Sequence, residues 1–352
     1  MTKLPKKSKA AVLVAQKAPL KIIEIDLPRD LCFGQVLVEL HYSGICGSQI
    51  GEIDGVKGED KWLPHLLGHE GSGQVLAAGP GVTNVNVGDH VVLHWRKSIG
   101  IESETPTYTS NGNAINAGWV TTFNEYAVVS ENRLTKIHND YDMRAAALFG
   151  CAITTGFGTI DFKSELKLGQ SVVVFGSGGV GLSIIQAASL AGASEIVAVD
   201  LFENRLSLAR QFGATKFINS SVDNAWGVLN QIFLTKKADI FIDNTGNPEI
   251  ISRGYEILTA TGKLILVGVP KKGANASLYT LDLHFGKTII GTHGGDVLPS
   301  EGIPRYMSLL ESRKIDPLDL ITRVGELSDI NKLIEEMRDG TTAGRCLVKL
   351  KK

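Results

Sequence analysis

Four apolar residues, Val172 to Phe175, run directly into Gly176-Ser-Gly178-Gly-Val-Gly181, and an apolar periodic segment follows from Leu182. A short run this apolar reads as a strand covered on both faces, and a Gly-x-Gly-x-x-Gly turn leading from strand to helix is the phosphate-binding turn of a dinucleotide site. Gly176 makes the turn, Gly178 lets backbone approach a pyrophosphate, and Gly181 lets the helix pack close to its strand. Gly179 and Val180 open that helix, whose unpaired N–H groups and partial positive charge favour phosphate. A second strand, Glu195–Val199, ends in Asp200, 24 residues after Gly176. A carboxylate there accepts both ribose hydroxyls of NAD and repels the 2′-phosphate of NADP. The plainer alternative is a tight α/β turn that binds nothing.

From Ser171 onward strands alternate with helices. Strand candidates are 172–175, 195–199, 216–218, 239–243, 263–267 and 288–290, which predicts an α/β doubly wound parallel sheet with right-handed crossovers. Residues 1–95 differ: they are rich in Gly, Pro, Val and Thr, with short alternating runs at 35–42 and 73–78 and turns at 79–81 and 87–89. That predicts an antiparallel, barrel-like domain with little helix. Residues 96–118 are polar and turn-rich and read as a surface excursion, 120–137 return to strand, and 143–161 read as mainly helical. After Gly295 helices at 302–313 and 328–338 flank a Pro-containing turn, and a last strand, 346–350, rejoins the first domain. The expected boundaries are 1–152 with 294–352 for the β-rich domain and 153–293 for the inserted nucleotide domain, with the site in the cleft between them.

A chain of 352 residues is long enough for two cores. Its net charge of −1 implies no attraction to nucleic acid or an anionic membrane. Four cysteines make a disulfide framework improbable and a reducing, cytoplasmic setting the expectation. Lys6-Lys7 before Ala10–Ala15 mimics a signal peptide, but the apolar run is too short and reads as a first strand. No stretch reaches the length of a membrane span.

Three stretches outside the nucleotide domain carry metal-ligand chemistry: Gly44-Ile-Cys46-Gly-Ser48, Gly68-His69-Glu70-Gly71 and Gly150-Cys151. Two thiolates and an imidazole form a Cys₂His set suited to catalytic zinc, with a fourth position left for water or substrate oxygen. Glu70 then stands behind the ligands or serves as an alternative ligand. Taken singly, each residue is as well explained by core packing.

The order Cys46-x-Ser48, Gly68-His69-Glu70, Gly88-Asp89-His-Val-Val92, Gly150-Cys151 and Gly176-x-Gly178-x-x-Gly181 resembles the zinc-dependent alcohol dehydrogenases of the medium-chain dehydrogenase/reductase superfamily. The resemblance runs from about residue 8 to 350. It implies a GroES-like catalytic domain interrupted by a Rossmann domain, hydride transfer between a small-molecule alcohol and NAD, and a homodimer or homotetramer. By position it makes Cys46, His69 and Cys151 the zinc ligands, Glu70 their acidic neighbour and Ser48 the hydroxyl on the substrate oxygen. Asp200 and Arg205 would hold the adenosine, Val267 to Val269 would face the nicotinamide, and Arg345 would bind pyrophosphate. For Arg205 and Arg345 a solvated surface charge is the competing reading. Trp95 matches a bulky pocket residue, while Trp62 lines the pocket or packs in the core. An aromatic wall suits a hydrophobic or cyclic alcohol; Arg96 and Lys97 suit an anionic or polyol one.

Two departures stand out. Relatives with a second, structural zinc carry four closely spaced cysteines in the lobe that is here 96–118, which has no cysteine or histidine, so one catalytic zinc is expected and no structural one. The histidine that often relays the alcohol proton is replaced by Gly51, leaving water, a ribose hydroxyl or Glu52 for that task, although Glu52 could equally be a solvated charge. The competing functions are a zinc-free quinone or enoyl reductase of the same superfamily and a non-enzymatic dinucleotide-binding protein.

Overall fold

The strand Ser171–Phe175 is buried at every position, and Glu195–Asp200 and Ala238–Asp243 are nearly so. Strands covered on both faces belong in the middle of a parallel sheet with helices on either side. The computed structural model, which describes residues 4–351, builds that sheet. Its six parallel strands follow the spatial order Lys216–Asn219, Glu195–Asp200, Ser171–Phe175, Ala238–Asp243, Leu258–Leu266, Thr288–Gly291. The chain therefore starts in the centre, winds outward, returns and winds the other way, which is the doubly wound Rossmann arrangement. Between the strands run helices Gly179–Leu190, Glu203–Gln211, Ala225–Ile232 and Pro248–Glu256.

The other unit is β-rich. A long strand, Gln35–Ile45, pairs with Glu70–Ala78, with Tyr126–Ser130 and with the last strand, Arg345–Lys349. A second sheet joins Lys7–Leu13, Lys21–Asp26, His65–Leu66 and the hairpin Tyr108–Ser110/Asn113–Ile115. The hairpin lies inside the expected surface excursion, whose Tyr108 and Ile115 are buried. The strand Ile321–Glu326, parallel to the last one, was not legible in the sequence because four of its six residues are exposed and it lacks a clean alternation.

By their contacts the described residues up to Ala152, Leu298–Asp339 and those from Arg345 onward form one unit, and Ile153–Val297 with Gly340–Gly344 the other. This corrects two expected boundaries. Residues 294–297 stay with the nucleotide unit, because Gly295 packs so closely on Thr154, Thr155 and Gly158 that an added Cβ would lie 2.7 to 2.9 Å from their atoms. The stretch 340–344 joins it too: Gly340 lies against the Phe202 ring and accepts a 2.9 Å hydrogen bond from Asn204.

Candidate active site

Register brings the three metal-ligand stretches together. Gly71 is paired with Ser43, so His69 and Glu70 lie beside the strand end that carries Cys46. Glu70 is in turn paired with His94, which puts Trp95 next to His69. Cys346 is paired with Ile45, which delivers Arg345 to the same place. Glycines make the approach possible: a Cβ on Gly44 would meet Glu70 Cδ at 2.7 Å, and one on Gly150 would meet Leu93 O at 2.3 Å and Glu70 Cα at 2.9 Å. Gly150 thus lets the chain that leads into Cys151 approach Glu70, the first residue of the strand that follows His69.

Cys46 Sγ and Cys151 Sγ lie 4.0 Å apart, and with a ring nitrogen of His69 the ligand atoms all fall within 4.8 Å of one another. Two sulfurs on one tetrahedral zinc at about 2.3 Å stand about 3.8 Å apart, so the donor set fits that metal. His69 Nε2 is buried with no hydrogen-bond partner, while Nδ1 contacts the Gln49 amide. With the amide oxygen turned toward the ring, Gln49 accepts from Nδ1–H and leaves the Nε2 lone pair for a metal. The Cys46 thiol is held well below its ordinary range, by the hydrogen bond from Cys151 against the penalty of burial and with help from Arg345. Cys151 is pushed up by that same bond and by burial.

Behind the ligands sits an ion pair. Arg345 Nη2 is 3.2 Å from Glu70 Oε2 and 3.8 Å from Cys46 Sγ, and Nη1 donates to Ile45 O at 3.1 Å. Both side chains are buried. Burial raises the Glu70 carboxyl to about 7, against the pull of Arg345. Ser48 Oγ is buried without a partner, in the first turn of the short helix Gly47–Ile53, whose N-cap residue is Cys46. The Trp95 ring lies 6.2 Å from the His69 ring, whereas Trp62 is 72% exposed.

His65, which the sequence reading passed over, is buried between Asp60 and Glu52. Its Nδ1 meets Leu66 O at 2.9 Å, and its Nε2 lies 2.7 Å from Asp60 and 4.0 Å from Glu52. Nothing in the local sequence joins these three; the pairing of His65 with Leu13 and the turn at 54–62 bring them together.

The second site lies within the nucleotide unit. Gly176 has φ +97°, a conformation that favours glycine, and a Cβ on Gly181 would lie 2.0 Å from Gly176 O. Gly178 caps the helix, with Gly179 and Val180 in its first turn. Asp200 accepts from Ser177 N at 2.7 Å and Phe202 N at 3.1 Å, which ties the glycine turn to the end of the second strand. Arg205 Nη1 is 3.7 Å from Asp200 Oδ1, and its guanidinium lies 4.6 Å from the Phe202 ring centre. Val267 follows the fifth strand and donates to Asp243 O at 2.8 Å, and Val269 is half exposed. Asp243 was missed. Its carboxylate accepts from Thr245 N, Thr245 Oγ1 and Gly246 N, fixing the Asn-Thr-Gly turn against which Gly268 packs. An acid ending a strand before Asn-Thr-Gly was the available signal.

Residues 33–139 match the family model described as alcohol dehydrogenase GroES-like domain, and residues 179–312 match the one described as zinc-binding dehydrogenase. An S-(hydroxymethyl)glutathione dehydrogenase of Photobacterium damsela subsp. piscicida is 31% identical over 95% of this chain and 97% of its own. The chain belongs to the zinc-dependent alcohol dehydrogenases of the medium-chain dehydrogenase/reductase superfamily. Solved structures agree on the fold of this alcohol dehydrogenase. A benzyl alcohol dehydrogenase from Acinetobacter calcoaceticus superposes with TM-score 0.87 at 30% identity, covering 99% of this chain and 100% of its own. An alcohol dehydrogenase zinc-binding domain protein from Burkholderia ambifaria gives 0.89 at 28%, covering 98% and 99%. The protein is therefore a zinc- and NAD(H)-linked oxidoreductase of alcohols, and no helix among its described residues is long and apolar enough to cross a membrane.

Proposed function

We propose that this alcohol dehydrogenase binds one zinc per chain at Cys46, His69 and Cys151 and oxidises a hydrophobic or cyclic alcohol with NAD in preference to NADP. The carrying observation is the pair of thiols 4.0 Å apart facing an unpartnered, buried His69 Nε2. Zinc there supplies Lewis acidity, which makes a bound alcohol easier to deprotonate. The Arg345 guanidinium offsets the charge of Cys46 and of Glu70, while the Cys151 thiol would give up its proton on binding the metal. Gln49 orients His69, and Glu70 stands ready behind the ligands. Ser48 Oγ, buried and without another partner, takes the alcohol proton and passes it on; a hydroxyl can accept one hydrogen bond and donate the next. Glu52 lies one helical turn beyond Ser48, with His65 Nε2 4.0 Å from its carboxylate, and both are available where residue 51 is glycine.

Cofactor choice is read from Asp200, whose carboxylate would meet a 2′-phosphate, with Arg205 on the adenosine beside it and Gly176 to Gly181 under the pyrophosphate. Val267 and Val269 would face the nicotinamide. The Trp95 wall beside His69 favours an apolar ring, and Lys97 is paired with Glu102 at 3.3 Å. The relatives' own activities, on a glutathione adduct and on benzyl alcohol, do not choose between substrates. Trp62, exposed as it is, would act at the rim. The edge strand Thr288–Gly291 has one unpaired side, and Tyr279 and Phe285 are exposed nearby, which supports a homodimer or homotetramer. Two buried cysteines that must be thiolates suit a reducing, cytoplasmic setting.

Elemental analysis should return close to one zinc per chain, and a screen of alcohols with NAD should favour aromatic or cyclic ones. Two zinc per chain, or turnover confined to polyols, would overturn the corresponding part.

A further inference from the structure

A buried arginine holds the backbone of Trp95, whose ring lies 6.2 Å from the His69 ring. Arg133 ends the short turn Glu131–Arg133 and leads into the strand Leu134–Ile137, which pairs with His90–His94 through Leu134 and Leu93. That register puts Arg133 beside the end of the strand that delivers Trp95. Nη1 donates to Trp95 O at 3.2 Å, Nη2 donates to Glu102 Oε2 at 3.3 Å, and the guanidinium lies 5.2 Å from the Trp119 ring centre. Its side chain is 7% exposed, and its Nε is buried with no partner. Burying a cation is costly unless it is paired and hydrogen-bonded, and the two donor ends of Arg133 are both engaged.

The surroundings show what is being held. Glu131 accepts from Thr83 N and Asn84 N with one oxygen, at 2.7 and 2.8 Å, and from Ile101 N with the other, at 2.7 Å. Asn132 exchanges backbone bonds with Ser98 and Ile101. Trp119 Nε1 donates to Ser103 O at 3.1 Å. The segment 98–103 is thereby fastened to the Glu131–Arg133 turn by a set of polar contacts. On the other side His94, the residue before Trp95, donates from Nδ1 to Arg96 O at 2.8 Å and accepts from Thr135 Oγ1 at 3.0 Å. Trp95 is gripped before, at and after its own position.

We propose that Arg133 is a specificity-determining positioning residue: its fork joins the Trp95 carbonyl to Glu102, so the 98–103 segment sets how far the Trp95 ring stands from His69 and how bulky an alcohol is accepted. The proposal rests on the reading above that alcohols bind at the Cys46, His69 and Cys151 set with Trp95 as a wall. A lysine cannot reproduce it, because one ammonium lacks the planar pair of donors needed to reach both acceptors in this geometry.

The test compares Arg133→Lys and Arg133→Met with wild type on ethanol, benzyl alcohol and cyclohexanol, with NAD. The ratio of kcat/KM for the ring alcohols to that for ethanol should change by about tenfold or more, the scale that apolar pocket contacts carry. NAD affinity and zinc content should stay as in wild type. A second readout needs no turnover: with fluorotryptophan incorporated and the Trp95 signal assigned through Trp95→Phe, the ¹⁹F resonance of Trp95 should move in Arg133→Lys. Glu102→Gln should move both readouts in the same direction by less. A substrate ratio that stays constant while melting temperature falls, or a Trp95 resonance that does not move, overturns the proposal and leaves a structural clamp. Should Arg133→Met fail to fold, Arg133→Lys still decides. Wild-type protein that oxidises no alcohol would defeat the functional reading, while the ¹⁹F shift would still judge the bracket.

Discussion

The two candidate sites of this dehydrogenase are built in opposite ways. In the nucleotide unit the glycine turn, the helix it opens, Asp200 and Arg205 all lie within 30 residues, and Asp200 is tied to the turn by one 2.7 Å bond from Ser177 N. In the β-rich unit Cys46, His69, Cys151 and Arg345 span 300 positions and meet only because three strand registers and two close-packed glycines bring them together. The first site is a local device with its chemistry in backbone N–H groups. The second is an assembled one, with its chemistry in side chains that burial would penalise heavily without partners. A local site should fail through its own backbone; an assembled site should fail through any one of several distant residues.

The largest effects should come from separating the two. Cys46→Ser or His69→Ala should abolish measurable turnover and lose zinc, while calorimetry shows NAD affinity within about twofold of wild type. Gly181→Val should do the reverse, because its Cβ would collide with Gly176 O, 2.0 Å away. NAD affinity should fall by about tenfold or more, or about 1.4 kcal/mol, with zinc content unchanged. If either variant lost both ligands together, the sites would not be independent.

Within the assembled site, Ser48→Ala should lower kcat for alcohol oxidation by about 10²- to 10⁴-fold, the usual worth of general-base assistance. Wild-type rates in Ser48→Ala would remove it from the proton path. Within the local site, wild type should favour NAD over NADP by about two decades in kcat/KM, and Asp200→Gly should narrow that gap. Equal use of both cofactors by wild type would sink the role of Asp200.

The smallest expected effect concerns stability in acid. Burial holds the His94 imidazole at about 4, below its ordinary 6.5, and it is fully enclosed. The unfolded chain takes up the proton first as pH falls, so the His94 contribution is complete above about pH 6.5 and is lost as pH drops toward 4. The loss is of order 3 kcal/mol at most. His41, lowered to about 4 chiefly by burial with Lys351 and His90 adding to it, works in the same direction. The Glu70 carboxyl, raised to about 7, works in the opposite direction, so the His94 share is read by difference: melting temperature followed from pH 8 to pH 4.5 should drop further in wild type than in His94→Gln. The same pH dependence in His94→Gln as in wild type would contradict the His94 assignment.

The sequence by itself determined the doubly wound sheet, since strands buried on both faces and separated by helices leave few other arrangements. It also determined the glycine turn, with its positive φ at Gly176 and close approach at Gly181, and it singled out Cys46, His69 and Cys151 as candidate donors, which the structure brings within 4.8 Å of one another. What only the tertiary structure decided was geometry that depends on register. Arg345, expected at a pyrophosphate, is buried against Glu70 and Cys46 because Cys346 pairs with Ile45. His65 meets Asp60 and Glu52 because its short strand lies on Leu13. Arg133 reaches Trp95 because Leu134 pairs with Leu93. Side chains alternate across a strand with period two, so a slip of one residue would turn each of these groups to the opposite face. Local sequence specifies that a segment is a strand; the neighbour it lies against, and at which residue, is settled by which pairing buries the apolar faces of the strands together.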